Sequence, residues 1–258
     1  MIRKMRSYSV FAKYYDELTA NIDYKKRGKY FNSIIEKFNK TDNNILLDLG
    51  CGTGSLSEVM AELGYDVIGI DNSMEMLEIA MSKNFEKNLP IQYLCQDMRE
   101  IDMFGTIGIT ICALDSINHL ESLEDVRKVF EKVSLFAEPQ GLFIFDINTP
   151  YKHRNILANN TFTYETDNVY CVWENSLNKN TDEVSINLEF FECDEDDRNI
   201  YYRSSESFKE KAYSLESIEK MLEESGLEVI AEYDDDTFNP PYEESQRIVV
   251  VAKAVKNS

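Results

Sequence analysis

The chain predicts an α/β fold: a doubly wound parallel sheet that carries an inserted antiparallel meander. Three observations support this. Up to position 150, short and uniformly apolar runs alternate with amphipathic stretches. Strands apolar on both faces belong to parallel sheets covered by helices on each side. After Pro150 the alternation gives way to β-branched and aromatic runs separated by polar turns, the pattern of antiparallel strands. A helical stretch and two more apolar runs then close the chain.

Taken in order, residues 8–38 read as helical, because Phe11, Tyr14, Tyr15 and Leu18, then Tyr30, Ile34, Ile35 and Phe38, recur at helical spacing. Ile45–Leu49 is the first strand, and Ser55–Leu63 is a helix with Gly64 as its stop. Val67–Ile70 is a second strand ending at Asp71, and Ser73 can cap a helix that turns Met74, Leu77 and Met81 to one face. Ile91–Cys95 and Ile107–Ala113 are the third and fourth strands. Leu123–Phe136 is a helix with Val126, Val129, Phe130 and Val133 inward, and Leu142–Ile147 is the fifth strand. The meander comprises Thr161–Glu174, Glu183–Glu192 and Asn199–Lys211, broken by NKNTD and DEDDR. Helix Leu215–Glu224, stopped by Gly226, precedes strands Leu227–Tyr233 and Ile248–Ala254. Residues 1–150 and 212–258 therefore read as one domain, interrupted by a subdomain over 151–211.

Composition narrows the function. Of 258 residues, 43% are hydrophobic and 29% charged, enough for a sizeable core. The formal charge of −20 repels phosphate backbones, so nucleic acid is a disfavoured partner and a small neutral or cationic ligand a better one. The five cysteines are odd in number and form no CxxC pair, which fits buried thiols in a reducing cytoplasm. With two histidines and no paired cysteines, no metal site is expected. The basic N-terminus lacks the apolar run of a signal peptide, and no segment reaches membrane-spanning length. The expectation is a cytoplasmic protein without membrane contact, monomeric or homodimeric.

The first strand runs into Gly50-Cys51-Gly52-Thr53-Gly54. Glycines at a strand's carboxyl end let a ligand approach the backbone, and the following helix offers free N–H groups. The spacing is not G-x-G-x-x-G, and Ser55-Leu56 stands where a P-loop needs Lys-Ser/Thr. Asp48, two residues before the first glycine, would repel a pyrophosphate but attract an ammonium group. Asp71, at the end of the second strand, is placed to accept ribose hydroxyls. Gln96-Asp97-Met98 closes the third strand, where Asp97 can accept from an adenine amine and the Met98 N–H can meet a ring nitrogen. A ligand with an ammonium, a ribose and an adenine but no phosphate is S-adenosylmethionine.

With these residues in place, LDLGCGTG, the VIGID acid, CQDM and the GLFIFDIN strand resemble, in order and over essentially the whole chain, the class I S-adenosylmethionine-dependent methyltransferases. The resemblance implies a Rossmann-like seven-stranded sheet whose last strand is antiparallel, with S-adenosyl-L-methionine as cofactor and S-adenosyl-L-homocysteine as product. It implies that Asp48, Gly50 and Gly52 hold the methionine end, Asp71 the ribose, and Asp97 with Met98 the adenine. Cys51, Gly54, Asn72, Met76, Gln96 and Leu114 complete the expected cofactor shell, and Tyr15 resembles a tyrosine that covers the cofactor in small-molecule members.

Methyl transfer from a sulfonium needs alignment and desolvation more than catalytic side chains. The loop after strand four, Ala113–Leu120, would face the transferred methyl. There His119, of a type that titrates near neutrality, can serve as a base for an amine or hydroxyl acceptor, while Asp115 and Asn118 can orient it. The aromatic-rich insert, with Trp173, can close over the substrate. Asn239-Pro240-Pro241-Tyr242 spells a signature of base-flipping N6-adenine methyltransferases, but it falls between the last two strands, where prolines are ordinary turn residues. Three rival readings remain: a nicotinamide dehydrogenase on the same sheet, a binding module for S-adenosylmethionine without turnover, and a tRNA-modifying methyltransferase.

Overall fold

A computed structural model describes residues 9–256, so the first part of the basic N-terminus lies outside the described residues. The helical run from 8 to 38 is two helices, α1 (Ser9–Leu18) and α2 (Tyr24–Phe38). The break falls at Thr19–Asp23, where Asp23 Oδ1 accepts from Lys26 N at 2.9 Å and so restarts the chain as an N-cap. β1 (Ile45–Leu49), α3 (Ser55–Glu62), β2 (Asp66–Asp71), α4 (Met74–Lys87), β3 (Ile91–Cys95), β4 (Ile107–Cys112), α5 (Leu123–Phe136) and β5 (Ala137–Asn148) follow. Ser73 caps α4 as expected, its Oγ accepting from Met76 N at 3.2 Å. β5 is longer than its apolar stretch because Ala137 pairs with Ile107 across an irregular register before Leu142 pairs with Ile109.

A short helix, α6 (Pro150–Lys152), continues as a π-helical turn (His153–Leu157) into the insert. The insert holds four strands, not three: β6 (Thr161–Glu165), β7 (Val169–Asn178), β8 (Glu183–Cys193) and β9 (Tyr201–Lys211). The sequence run Thr161–Glu174 contains a turn, with Thr166 Oγ1 accepting from Asn168 N and Val169 N at 3.2 Å each. α7 (Leu215–Glu224), β10 (Leu227–Asp234) and β11 (Arg247–Ala254) return to the main sheet.

The seven-stranded sheet has the order β10-β11-β5-β4-β1-β2-β3, and the insert forms a separate four-stranded sheet, β6-β7-β8-β9. In the seven-stranded sheet β11 pairs antiparallel with both β5 and β10 and the other pairings are parallel, whereas the insert sheet is antiparallel throughout. Apolar clusters fill both faces: Phe130, Phe143 and Phe145 on one, Phe31, Ile34 and Met60 on the other. Chain order reverses between β1 and β4, and in open α/β sheets such a switch point opens a crevice at the strands' carboxyl ends. A third cluster joins α1 (Phe11, Tyr14) to the insert (Val184, Ile186, Leu188, Phe190), which seats the insert above that crevice.

Candidate active site

The crevice is a cavity of about 1100 Å³ bounded by the ends of β1–β5, by α1 and by the insert sheet. Its cofactor half begins at the glycine turn. Gly50, Gly52 and Gly54 all have positive φ, from 54° to 76°. A Cβ on Gly50 would lie 2.8 Å from Ser116 Oγ, whereas one on Gly52 would meet no protein atom within 4 Å and would project where a ligand must lie. Asp71 fastens the turn, its carboxylate accepting from Gly52 N at 2.9 Å and from Ser73 N at 2.8 Å.

Asp48 is 2% exposed, with Ser57 Oγ donating to it at 2.5 Å. Burial pushes its carboxyl up to about 7, with Asp71 nearby adding to the effect. Burial also raises Asp71, against the two backbone N–H groups that favour its charged form. The cations on this rim are already paired: Arg99 with Asp97 at 2.6 Å and Lys83 with Asp16 at 2.7 Å. The Arg99 guanidinium holds the Asp97 carboxyl below its ordinary value. Two carboxylates raised by burial and no unpaired cation suit a ligand with an ammonium and ribose hydroxyls, and disfavour a pyrophosphate.

Of the residues expected to bind cofactor, Tyr15, Asp48, Gly50, Cys51, Gly52, Asp71, Asn72, Met76, Gln96, Asp97, Met98 and Leu114 line the cavity. Gly54 does not; it is retained because a Cβ there would sit 2.2 Å from Tyr93 Oη. Asp16 ties α1 over the turn, accepting from Thr53 Oγ1 at 2.6 Å and from Lys83 Nζ at 2.7 Å. That places Tyr15, packed edge-on against Phe11, over the cavity.

The other half of the cavity lies under the insert. After β4 the consecutive residues Leu114 (φ 57°) and Asp115 (φ 54°) are both left-handed, a costly backbone state for non-glycine residues. The Asp146 carboxylate over-determines it, taking Leu114 N at 2.8 Å and Asp115 N at 2.7 Å. Asp146 is fully buried and also takes Arg27 Nη2 at 2.5 Å and Arg247 Nη1 at 2.6 Å. Arg247 Nη2 reaches Asp115 Oδ1 at 2.7 Å. Burial alone would raise Asp115, but Arg247, Lys152 and His119 together hold it well below its ordinary value.

Asp115, His119 and Trp173 line the cavity. Asn118 does not, and its expected role in orienting substrate is corrected. It is fully buried, with Nδ2 donating to Asn148 O at 3.1 Å and Lys211 O at 2.9 Å and Oδ1 accepting from Asn148 N at 2.8 Å. The amide fastens the end of β9 to β5 and has no group left for a ligand. The sequence reading also missed Glu210 of β9 and Lys152 of α6, which enter this half of the cavity from elements distant in sequence. An expectation of no metal meets one cluster among the described residues: ligand atoms of Asp115, His119 and Glu210 lie within 4.8 Å of one another. NPPY lies in the β10–β11 connection and does not line the cavity.

A switch-point cavity with strand-end carboxylates around a phosphate-free glycine turn defines a class I methyltransferase using S-adenosylmethionine. The comparisons agree. A methyltransferase-domain family matches residues 46–141. A solved S-adenosylmethionine-dependent methyltransferase from Clostridium acetobutylicum ATCC 824 is 33% identical, spans 96% of this chain and 98% of its own, and superposes with a TM-score of 0.85. YqeM of Bacillus subtilis (strain 168), whose methyltransferase name is itself provisional, is 31% identical over 96% of this chain and 98% of its own length. The ubiquinone biosynthesis O-methyltransferase of Haemophilus ducreyi is 35% identical over 47% of this chain and 53% of its own length. The chain belongs to the S-adenosylmethionine-dependent methyltransferases.

Proposed function

We propose that the enzyme methylates a small-molecule amine or hydroxyl, with residues 151–211 as the subdomain that covers the acceptor. The observation that carries this reading is the roofed acceptor half, walled by Phe162, Tyr164, Trp173 and Phe208 and floored by Asp115, His119, Lys152 and Glu210. An aromatic wall suits a compact acceptor and shields the reacting centre on that side from water. A net charge of −20 further weighs against a polynucleotide acceptor. Among the described residues no helix is long and apolar enough to cross a membrane, and all five cysteines are free, which supports a cytoplasmic site of action.

Bound S-adenosylmethionine supplies a methyl group on a positively charged sulfur. Asp48, Gly50 and Gly52 are assigned to its amino-acid end, Asp71 to the ribose and Asp97 with the Met98 N–H to the adenine. Tyr15 covers it, and Leu114 sets the floor between cofactor and acceptor. His119, ring to ring with Phe208 at 5.3 Å, takes the acceptor's proton. Asp115, clamped by Arg247 and held ionised, orients the acceptor opposite it.

The test is release of S-adenosylhomocysteine in a screen of small amines and alcohols, with bulk tRNA in parallel. His119→Ala should leave cofactor affinity unchanged and lower turnover on the acceptor so found by about a hundredfold or more. Turnover on tRNA alone would overturn the small-molecule reading, and an undiminished rate in His119→Ala would make the histidine structural.

A further inference from the structure

Glu210 is the least expected group in the cavity. It comes from the last strand of the insert and is only 5% exposed. Its Oε2 accepts from Asn148 Nδ2 at 3.3 Å, and no hydrogen bond from the described residues reaches Oε1. His153 Nε2, buried and without a hydrogen-bond partner among the described residues, stands 3.8 Å from Oε2. Glu210 lines the cavity, and its Oε1 can accept a hydrogen bond from a ligand there. The ligand atoms of Asp115, His119 and Glu210 converge within 4.8 Å of one another on the cavity wall.

Charge identifies the donor. Two cations already share the surroundings: Arg247, on Asp115 at 2.7 Å, and Lys152, whose Nζ donates to Asn148 Oδ1 at 2.8 Å. Both repel a divalent ion about twice as strongly as a monocation, which favours a singly charged donor. The aromatic rings of Trp173 and Phe208, 6.3 Å apart, wall the same half of the cavity and favour a cation beside them.

We propose that Asp115, His119 and Glu210 form a subsite for the protonated amino group of the acceptor, so that the insert itself selects amines over alcohols. This rests on the methyltransferase reading and narrows its acceptor class. The amine enters as its ammonium form. One N–H bond then breaks, its electron pair stays on nitrogen, and the proton passes to an imidazole nitrogen of His119. The two carboxylates keep hold of the remaining N–H groups.

The test needs no known substrate. With two histidines in the chain, His119 can be followed by NMR in histidine-labelled protein, its signals assigned by His119→Asn. Methylammonium chloride is titrated against methanol, with and without S-adenosylhomocysteine, in the native chain and in Glu210→Gln. Asp115→Asn provides a second variant. The expected result is a saturable His119 shift with methylammonium, absent with methanol and weakened at least tenfold in Glu210→Gln. No saturable response, an equal response to methanol, or an unchanged response in both variants would overturn the proposal. Selective broadening by Mn²⁺ without a methylammonium effect would replace it with a metal site. A failure of the cofactor reading shows separately, as absence of calorimetric binding of S-adenosylhomocysteine, because methylammonium is titrated against the unliganded protein as well.

Discussion

At the scale of single residues, buried Asp48 and half-buried Asp71 beside the glycine turn carry the cofactor assignment. On the proposed assignment, Asp71→Ala would remove charge-assisted bonds to the ribose and should weaken S-adenosylmethionine by about 2–4 kcal/mol, read by calorimetry. It also frees Gly52 N and Ser73 N, so part of that loss is a loosened turn. Asp48 makes a pH prediction. Burial raises its carboxyl to about 7, so in the free protein it holds a proton below that pH. An ammonium ligand prefers the ionised form. Cofactor affinity should therefore fall as pH drops below about 7, by up to about tenfold per unit, with proton release on binding. Asp71, raised in the same direction, adds to the trend. Asp48→Asn should flatten the profile; a steep profile in that variant would assign the linkage elsewhere. Asp48, Asp71 and Asp97 were legible in sequence because each lies at or just past the carboxyl end of a short, mostly apolar run. Asp146 sits inside such a strand, and a charge there demands a buried partner. Its partners Arg27 and Arg247 are 119 and 101 residues away, a distance no local pattern bridges.

At the scale of elements, the parallel sheet was readable because continuous apolar runs and glycine stops report burial directly. The errors fell where a polar turn is short. Thr19–Asp23 divides one apparent helix, and the Thr166–Asn168 turn divides one apparent strand. Asn118 shows how far a reading from sequence position can miss: it neighbours the cavity in sequence but its amide fastens β9 to β5. Asn118→Ala should leave Asn148 N and Lys211 O without their partner and cost about 2–4 kcal/mol in denaturant unfolding. A loss of affinity for ligands at unchanged stability would instead return Asn118 to the site. Glu210 was illegible for a related reason. It lies in an alternating, charge-rich run, FKEKAY, and only the seating of the insert on α1 and on the Ser116–His119 turn brings it to His119.

At the scale of the whole molecule, two layers divide the labour. On the proposed reading, the seven-stranded sheet supplies the cofactor half through the ends of its first three strands, and the insert, held by Asn118, by Glu206 accepting from Val10 N at 2.7 Å and by the α1 cluster, roofs the acceptor half. The sheet alone would equally suit a nicotinamide dehydrogenase, so the account depends on the acids around the glycine turn. Calorimetric titration with S-adenosylhomocysteine, with NADH in parallel, tests this most directly. Saturable binding of S-adenosylhomocysteine alone is the predicted result. Binding of NADH, or of neither ligand, would contradict the assignment of Asp48 and Asp71 and everything built on it.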